Sequence, residues 1–507
     1  MKRIVICWAL IFITGAALRG THLLHPLDTD SWREADMATI AKNMYLHGMD
    51  IFHPQIAWDG SGPGYTESEF QLYTFLIAVG YKIFGVWEPL ARIISFLFSL
   101  GTLLVFFKMS NYLFKSKTAL AVSFFFALSP VLMIVSNTIQ PESIMFFFYV
   151  CAAFTFIRWL NAGSKKNYFL ALFFSAITIL CKLTSAHIGI FFVLLIITHK
   201  GWRYLFSKKI LIFGLLSILP GAIWYVHVHQ FYVQYGNSLG ISNEYALFGL
   251  DFFTDHYFIK GLVFLELNNV WTLPGLIIFL LGVFCTQMKK IPGTKIAICW
   301  YAATIVFYLL AVRTTADEWA FYYHIFSVPA ASMLLGISIV AIYDKYILGV
   351  YEKLQQQFNK LLVLKYRTGL ATVIILIGLF VFSAIQYLRK DKHHNYVTSP
   401  YFSCVPAISA MINPNTLILC SGAPRQDRTG YKIAYNKSYF FYWLNLKGYN
   451  VPDEDQSVEG VLRYKALNVK YFIAEKVSLN LKPGLKQELD TRFKNLLECN
   501  GIVLYDL

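Results

Sequence analysis

The stretch "DTDSWREADMATIAKN", residues 28–43, places Asp28, Asp30, Arg33, Glu34 and Asp36 within nine positions, a few residues beyond an apolar N-terminal segment. Two acids two apart, with an arginine three positions further on, are costly beside a bilayer unless they face water, a cavity or each other. Beyond Arg33 the residues Met37, Ile40 and Ala41 fall at helical spacing, so a polar turn leads into a helix. What surrounds this stretch decides how its charges are read.

Of the 507 residues, 57% are hydrophobic and only 14% are charged, which excludes a string of ordinary soluble domains. The expected architecture is an all-α polytopic membrane domain over residues 1–388, followed by a small soluble α/β domain over 389–507. The net charge of +15 does not signal nucleic acid, because most Lys and Arg sit in short loops beside apolar runs. Met1-Lys2-Arg3 and the apolar stretch from Ile4 to Leu18 also fit a signal peptide. The many spans that follow, and Arg19 at the exit, favour an uncleaved first span.

Eleven segments read as spans: 4–20, 90–107, 118–136, 143–160, 168–182, 184–198, 210–229, 261–285, 296–312, 323–343 and 369–388. A twelfth apolar piece, Phe70 to Phe84, is ambiguous, and loop charge arbitrates it. If it does not cross, the loops carrying Lys108/Lys115/Lys117, Arg158/Lys165/Lys166, Lys200/Arg203/Lys208/Lys209, Lys289/Lys290/Lys295 and Lys345 to Arg367 all share the side of Lys2 and Arg3. That is the positive-inside pattern. Phe70 to Phe84 is therefore expected to lie as an amphipathic helix at the outer interface, inside a first external loop over 21–89. The two shortest spans, flanking Lys182, could instead form one broken pair dipping from the outer face.

This topology gathers acidic, aromatic-rich segments on the external face: the opening stretch, "GPGYTESEF" (62–70), "NTIQPES" (137–143), the loop from Gln230 to Lys260, and "RTTADEWAFYYH" (313–324). The C-terminal region lies there too. Its short apolar runs "NTLILCSG", "KYFIAEK" and "GIVLYDL", separated by turn signals, read as strands of the α/β module. Cys404, Cys420 and Cys499 could give one disulfide and one spare thiol in an oxidising compartment.

A carboxylate near a membrane surface, steadied by an arginine about one turn away, can stay ionised and still accept a proton. Acid pairs such as Asp28/Asp30 and Glu67/Glu69, together with cations, suit transfer of a group whose leaving part is a phosphate: the carboxylate deprotonates the acceptor and Arg or Lys stabilises the departing anion. A solvated polar loop is the plain alternative.

The pattern "DTDSWREADMATIAKNMYLHG…P…WDGSGPGYTESEFQLY", from Asp28 to Tyr73, resembles the first external loop of bacterial membrane glycosyltransferases of the GT-C superfamily, in the group related to protein O-mannosyltransferases and the lipid A aminoarabinose transferase. Asp30, Arg33 and Ala35 match that group's loop signature. "QPE" at Gln140 to Glu142, Lys182 in "CKLTS" and "YYHIFSVP" from Tyr322 to Pro329 agree with it. The resemblance implies an inverting transferase that moves a sugar from a polyprenyl phosphate carrier to a glycan, lipid or protein acceptor at the outer face of a bacterial inner membrane, with the active site and C-terminal domain on the periplasmic side. By that analogy Asp30 is the general base, Glu67 or Glu69 an assisting acid, and Arg33, Lys182 and Arg313 bind the donor phosphate. Asp28, Glu34, Tyr65, Gln140, Glu142, Tyr322, Tyr323 and His324 are further substrate contacts. A divalent cation bridging acids and phosphate is compatible with it. The chain departs from the group at Gln71, where a proline is usual, and at Ala320, where a histidine is frequent.

Each residue also has a structural reading. Lys182 could snorkel, Glu142 could cap a helix after Pro141, Arg313 could anchor the interface, and Tyr322 and Tyr323 could belong to an aromatic belt. His324 could be a satisfied histidine, and His393-His394 a solvated linker. A lipid-linked sugar flippase or transporter is the rival function, and a glycan polymerase or ligase a third. Acids collected on one side, without an internal repeat, favour the transferase.

Overall fold

The computed structural model describes residues 2–242, 251–285, 293–356, 360–390, 397–428 and 430–507. Lys289, Lys290 and the His393-His394 pair lie outside these residues. Each of the eleven expected spans falls on a helix or a helix pair. Six described helices are long and apolar enough to cross a membrane, or seven if the pair His256–Trp271 and Leu273–Val283, bent by 84°, is one span. The others are shorter. Residues 118–136, for instance, break into Ser116–Ala127 and Pro130–Val135, where Pro130 opens a new helix.

The ambiguous apolar piece is the 13-residue helix Leu72–Phe84. At 1.5 Å per residue it spans only about 20 Å, short of a bilayer core. Tyr73, Thr74, Ile77, Ala78 and Tyr81 line its buried face, while Val79, Ile83 and Phe84 are exposed. One side of this short helix is thus buried in protein, and its exposed side is largely apolar.

The C-terminal region forms a five-stranded mixed sheet, with β1 Leu417–Ser421, β2 Gly448–Val451, β3 Val469–Glu475, β4 Lys494–Cys499 and β5 Ile502–Asp506. The strand order is β2-β1-β3-β5-β4; β1 runs parallel to β2 and β3, and β5 is antiparallel to β3 and β4. Cys404 and Cys499 form a disulfide across 95 residues of sequence. The leftover thiol is Cys420, which is buried in β1, and that burial holds it well above the usual thiol range.

The sheet does not stand apart from the first loop. One hydrophobic core joins Ala38, Ile40 and Ala41 of the loop helix to Ile418, Phe440 and Ile473 of the C-terminal region. The sheet's other face has its own core around Leu419, Phe472, Leu489 and Val503. Polar ties reinforce the junction. Trp443 Nε1 donates to the Leu27 carbonyl at 2.7 Å, Tyr442 Oη to Glu88 at 2.8 Å, and Thr398 Oγ1 to Asp28 Oδ2 at 2.8 Å. Gly60, at φ +57, donates to the Gly448 carbonyl, and a Cβ there would sit 1.9 Å from the Tyr449 ring. The positive φ favours glycine there, and a larger residue would have to displace the Tyr449 ring.

Candidate active site

The site is organised by the helix Trp32–Leu46. Ser31 caps it, its Oγ accepting from the Glu34 amide at 3.4 Å. The spacing Ser31 to Glu34 has the form of a capping box, but the Glu34 carboxylate turns elsewhere. It accepts from the Ile139 amide at 2.9 Å and pairs with the buried Arg92 at 3.4 Å. Arg92 also donates to the Asn137 carbonyl at 2.7 Å, so Glu34 and Arg92 fix the turn that delivers Gln140 and Glu142.

Glu142 opens the helix Glu142–Ala162 immediately after Pro141. Its Oε1 lies 2.8 Å from the Arg33 guanidinium and 2.6 Å from Lys182 Nζ. Lys182 reaches this position because the helix Lys165–Cys181 ends there: its backbone is extended at φ −160 and ψ 114. Glu69 closes the set, 3.2 Å from Lys182 and 3.4 Å from Arg33. Arg33 also donates to Tyr322 Oη, and both cations lie over aromatic faces, Lys182 4.8 Å from the Tyr322 centroid and 4.9 Å from that of Tyr323. Burial opposes the Arg33 charge, but Glu142, Tyr322 and Glu69 outweigh it and hold the guanidinium above its ordinary range. Two cations against two carboxylates leave the cluster neutral overall, with buried charges compensated.

Asp30 sits just before the capped helix and is exposed to a chamber of about 570 Å³ that Trp32, Arg33, Gln140, Trp319 and Tyr322 also line. Among the described residues nothing hydrogen-bonds its carboxylate. A smaller cavity of about 70 Å³, holding Glu69, Asp36 and Tyr323, shares Arg33, Tyr322, Trp32 and Trp319 with that chamber. The free carboxylate and the charge cluster thus occupy neighbouring compartments of one crevice.

The remaining expected residues are distributed differently. Asp28 is buried and anchors the chain at 398–399: its carboxylate takes the Thr398 hydroxyl and its carbonyl the Ser399 amide, at 2.9 Å. Glu67 is also buried, and its carboxylate accepts from the Ser238 hydroxyl at 2.6 Å, from the Ser242 amide and hydroxyl at 3.0 Å each, and meets His229 Nδ1 at 2.9 Å. It holds the 238–242 turn and does not join Glu69. Tyr65 packs in an aromatic group with His53, Phe231 and Tyr235. Arg313 pairs with Asp427 at 3.0 Å and lines a third chamber. His324 is buried between Glu266, at 2.7 Å, and the Thr315 carbonyl, at 2.9 Å, in a network with Ser327. It is a satisfied histidine, away from the crevice.

Three further residues bear on the crevice though none was expected at the site: Asp36 and Trp319 line it, and Arg92 braces Glu34 behind it. Asp36 does carry a signal in the sequence, as an acid among Ala35, Met37, Ala38 and Ile40, all buried. Burial, partly offset by the Trp58 and Ser438 hydrogen bonds, raises its carboxyl to about 7. Arg92 and Trp319 carry none, since their partners lie far along the chain. Among the described residues no three His, Cys, Asp or Glu side chains gather as a metal site would need.

The chain is thus a bundle of membrane helices with a mixed C-terminal sheet, and an acid-and-cation cluster stands at the helix ends. Residues 71–225 match the model of the family described as Dolichyl-phosphate-mannose-protein mannosyltransferase. By structure, the chain is similar to ArnT from Cupriavidus metallidurans, in a crystal structure bound to undecaprenyl phosphate, with 14% identity and a TM-score of 0.60 over 99% of this chain and 98% of that one. The apo form of the same protein gives a TM-score of 0.62 at 13% identity, covering 98% and 97%. The Archaeoglobus fulgidus oligosaccharyltransferase in its apo form gives 0.56 at 12%, over 93% of this chain and 69% of that one. At such identities the likeness is one of fold. Among curated protein sequences no relative matches.

Proposed function

We propose that this protein is an inverting glycosyltransferase that moves a sugar from a polyprenyl phosphate carrier to an acceptor hydroxyl at the outer face of the bacterial inner membrane. The observation that carries this reading is Asp30, an unbonded carboxylate facing a chamber that Arg33 also lines, and Arg33 ties that chamber to the Glu69, Glu142 and Lys182 cluster. Asp30 takes the proton of the acceptor hydroxyl as its oxygen bonds to the anomeric carbon. The bond from that carbon to the phosphate oxygen breaks on the opposite face, and the polyprenyl phosphate leaves carrying the electron pair. Arg33, whose guanidinium is partly accessible, meets the developing phosphate charge, with Lys182 behind it. Glu69 and Glu142 hold both cations in place beforehand. The relative crystallised with undecaprenyl phosphate supports a donor of this type.

Helix polarity and the disulfide support the outer face. Glu142 stands at the site end of its helix and Arg158 near the other; Lys117, by the opposite ends of the bundle, pairs with Asp344 at 2.5 Å. The basic loops and the site therefore lie at opposite helix ends, as positive-inside orientation demands. The disulfide Cys404–Cys499 suits an oxidising compartment. We further assign residues 1–388 to the membrane domain and 389–507 to the periplasmic one. The test is mass spectrometry of envelope glycans, lipids and proteins from cells with and without the gene. One missing sugar increment is expected, and identical profiles would sink the proposal.

A further inference from the structure

Next to the Asp30 chamber, and sharing its Trp32 and Trp319 walls, lies a third chamber of about 360 Å³. Both volumes fall in the range of roughly 300–1,000 Å³ typical of small-molecule sites. One side of this chamber comes from the membrane domain, through Tyr257, Arg313 and Asp317, and the other from the C-terminal region, through Asp427 and Arg428. Its chemistry is specific. Trp319 and Tyr257 are each 42% exposed, so both rings are accessible from the chamber. The Tyr257 hydroxyl is held by Asp317 at 3.0 Å, and its ring carries the Arg428 guanidinium 3.6 Å from the centroid. Arg313 is buried, and its Nε has no partner among the described residues.

We infer that this chamber binds the second sugar of an oligosaccharide acceptor whose terminal unit occupies the Asp30 chamber; the inference rests on the transferase reading above. A pyranose ring presents apolar C–H faces and a rim of hydroxyls. Broad aromatic faces with polar handles meet the first, and fixed carboxylates and guanidiniums meet the second. Two arginines stand against two aspartates in the lining, so no net field selects a phosphorylated ligand. The acceptor is then a neutral sugar chain of at least two units, and the C-terminal region forms half of its site.

The test uses the full-length protein in lipid nanodiscs, its lipid donor, and one-sugar and two-sugar fragments released from the envelope glycan it modifies. The wild type should show a kcat/KM about tenfold or more higher for the two-sugar fragment, an increment typical of one aromatic contact and its hydrogen bonds. Tyr257→Ala and, independently, Arg428→Ala should bring that ratio near one while binding of undecaprenyl phosphate is unchanged. Arg428 is 51% exposed, so its replacement does not threaten folding. Equal use of both fragments by the wild type, or an undiminished preference in both variants, overturns the inference. So does a sugar increment found only on protein side chains that carry no glycan, an outcome that leaves the transferase reading standing. Its appearance in the lipid or the protein-glycan fraction tells which bears the acceptor chain. No transfer to anything would defeat the transferase reading itself.

Discussion

Lys182 Nζ lies 2.6 Å from Glu142 Oε1, with both side chains buried, across the break between two helices. An ammonium so placed is tolerable only because the carboxylate is there, and Arg33 at 2.8 Å shares the same oxygen. Glu142 is therefore the hub through which both cations are held.

Replacing Glu142 by Gln leaves two buried cations with Glu69 alone. Breaking a buried pair from one side costs about 3–5 kcal/mol, whereas removing both charges is far less damaging. We expect Glu142→Gln to lower the thermal unfolding midpoint and to reduce sugar transfer roughly a hundredfold or more. The double variant Glu142→Gln/Lys182→Met should recover most of the midpoint and none of the activity. A double variant as unstable as the single one would mean that the two charges do not act as a pair.

Glu67 and Glu69 are two residues apart and have different duties. All four donors around Glu67 point at its oxygens, so a Gln amide in its place would face at least one donor with another donor. The cost, about 1–3 kcal/mol, should appear locally. Hydrogen exchange across 237–242 should quicken in Glu67→Gln, with a small loss of activity. Glu69→Gln should leave that exchange unchanged and reduce transfer at least tenfold more than Glu67→Gln does. The reverse ranking would exchange their roles.

Asp36 makes stability depend on pH. Its carboxyl stands at about 7 in the fold against 3.8 ordinarily, because burial disfavours the charge. The folded state therefore holds a proton that the unfolded chain has released, and stability falls as pH rises from about 4 to about 7. Above that window the deficit is constant, on the order of 4 kcal/mol, since each tenfold gain in proton affinity is worth about 1.4 kcal/mol. Asp36→Asn keeps an acceptor for Trp58 Nε1, now 3.1 Å from Oδ1, and removes the titration. The variant should unfold at a higher temperature than the wild type at pH 8, with the gap narrowing to about a third at pH 5. Parallel midpoints across that range would contradict the assignment.

How much of this was legible in the sequence follows from how far each signal reaches. The membrane helices were written in runs of apolar residues, and the shorter helix Leu72–Phe84 in a shorter run of the same kind. Asp30 and Arg33 announced themselves by local spacing, and Lys182 by being a lone charge in an apolar stretch. Pairings across the chain left no such mark. Glu34 meets Arg92 58 positions away, and Trp319 walls three chambers through contacts that no periodicity encodes. The shared core of the loop helix and the sheet was hidden for the same reason: alternating apolar residues show that a face is buried, but not against what.

Asp30 offers the most direct test of the chemistry. Its carboxylate is exposed, has no hydrogen-bond partner among the described residues, and faces the largest of the three chambers. A structural residue would be expected to have partners, so replacing it should leave the unfolding midpoint unchanged. Asp30→Asn keeps the shape and the polarity and removes only the capacity to take a proton. If the acceptor hydroxyl is deprotonated there, kcat should fall by about a hundred- to ten-thousandfold, the usual contribution of a positioned general base. Binding of undecaprenyl phosphate should stay within about twofold of the wild type, because the cations proposed for the phosphate are Arg33 and Lys182. Asp30→Glu, with the base kept but moved by one methylene, should recover part of the rate. An Asn variant that transfers sugar within a few-fold of the wild type would place the base on another residue and leave the open carboxylate without a task.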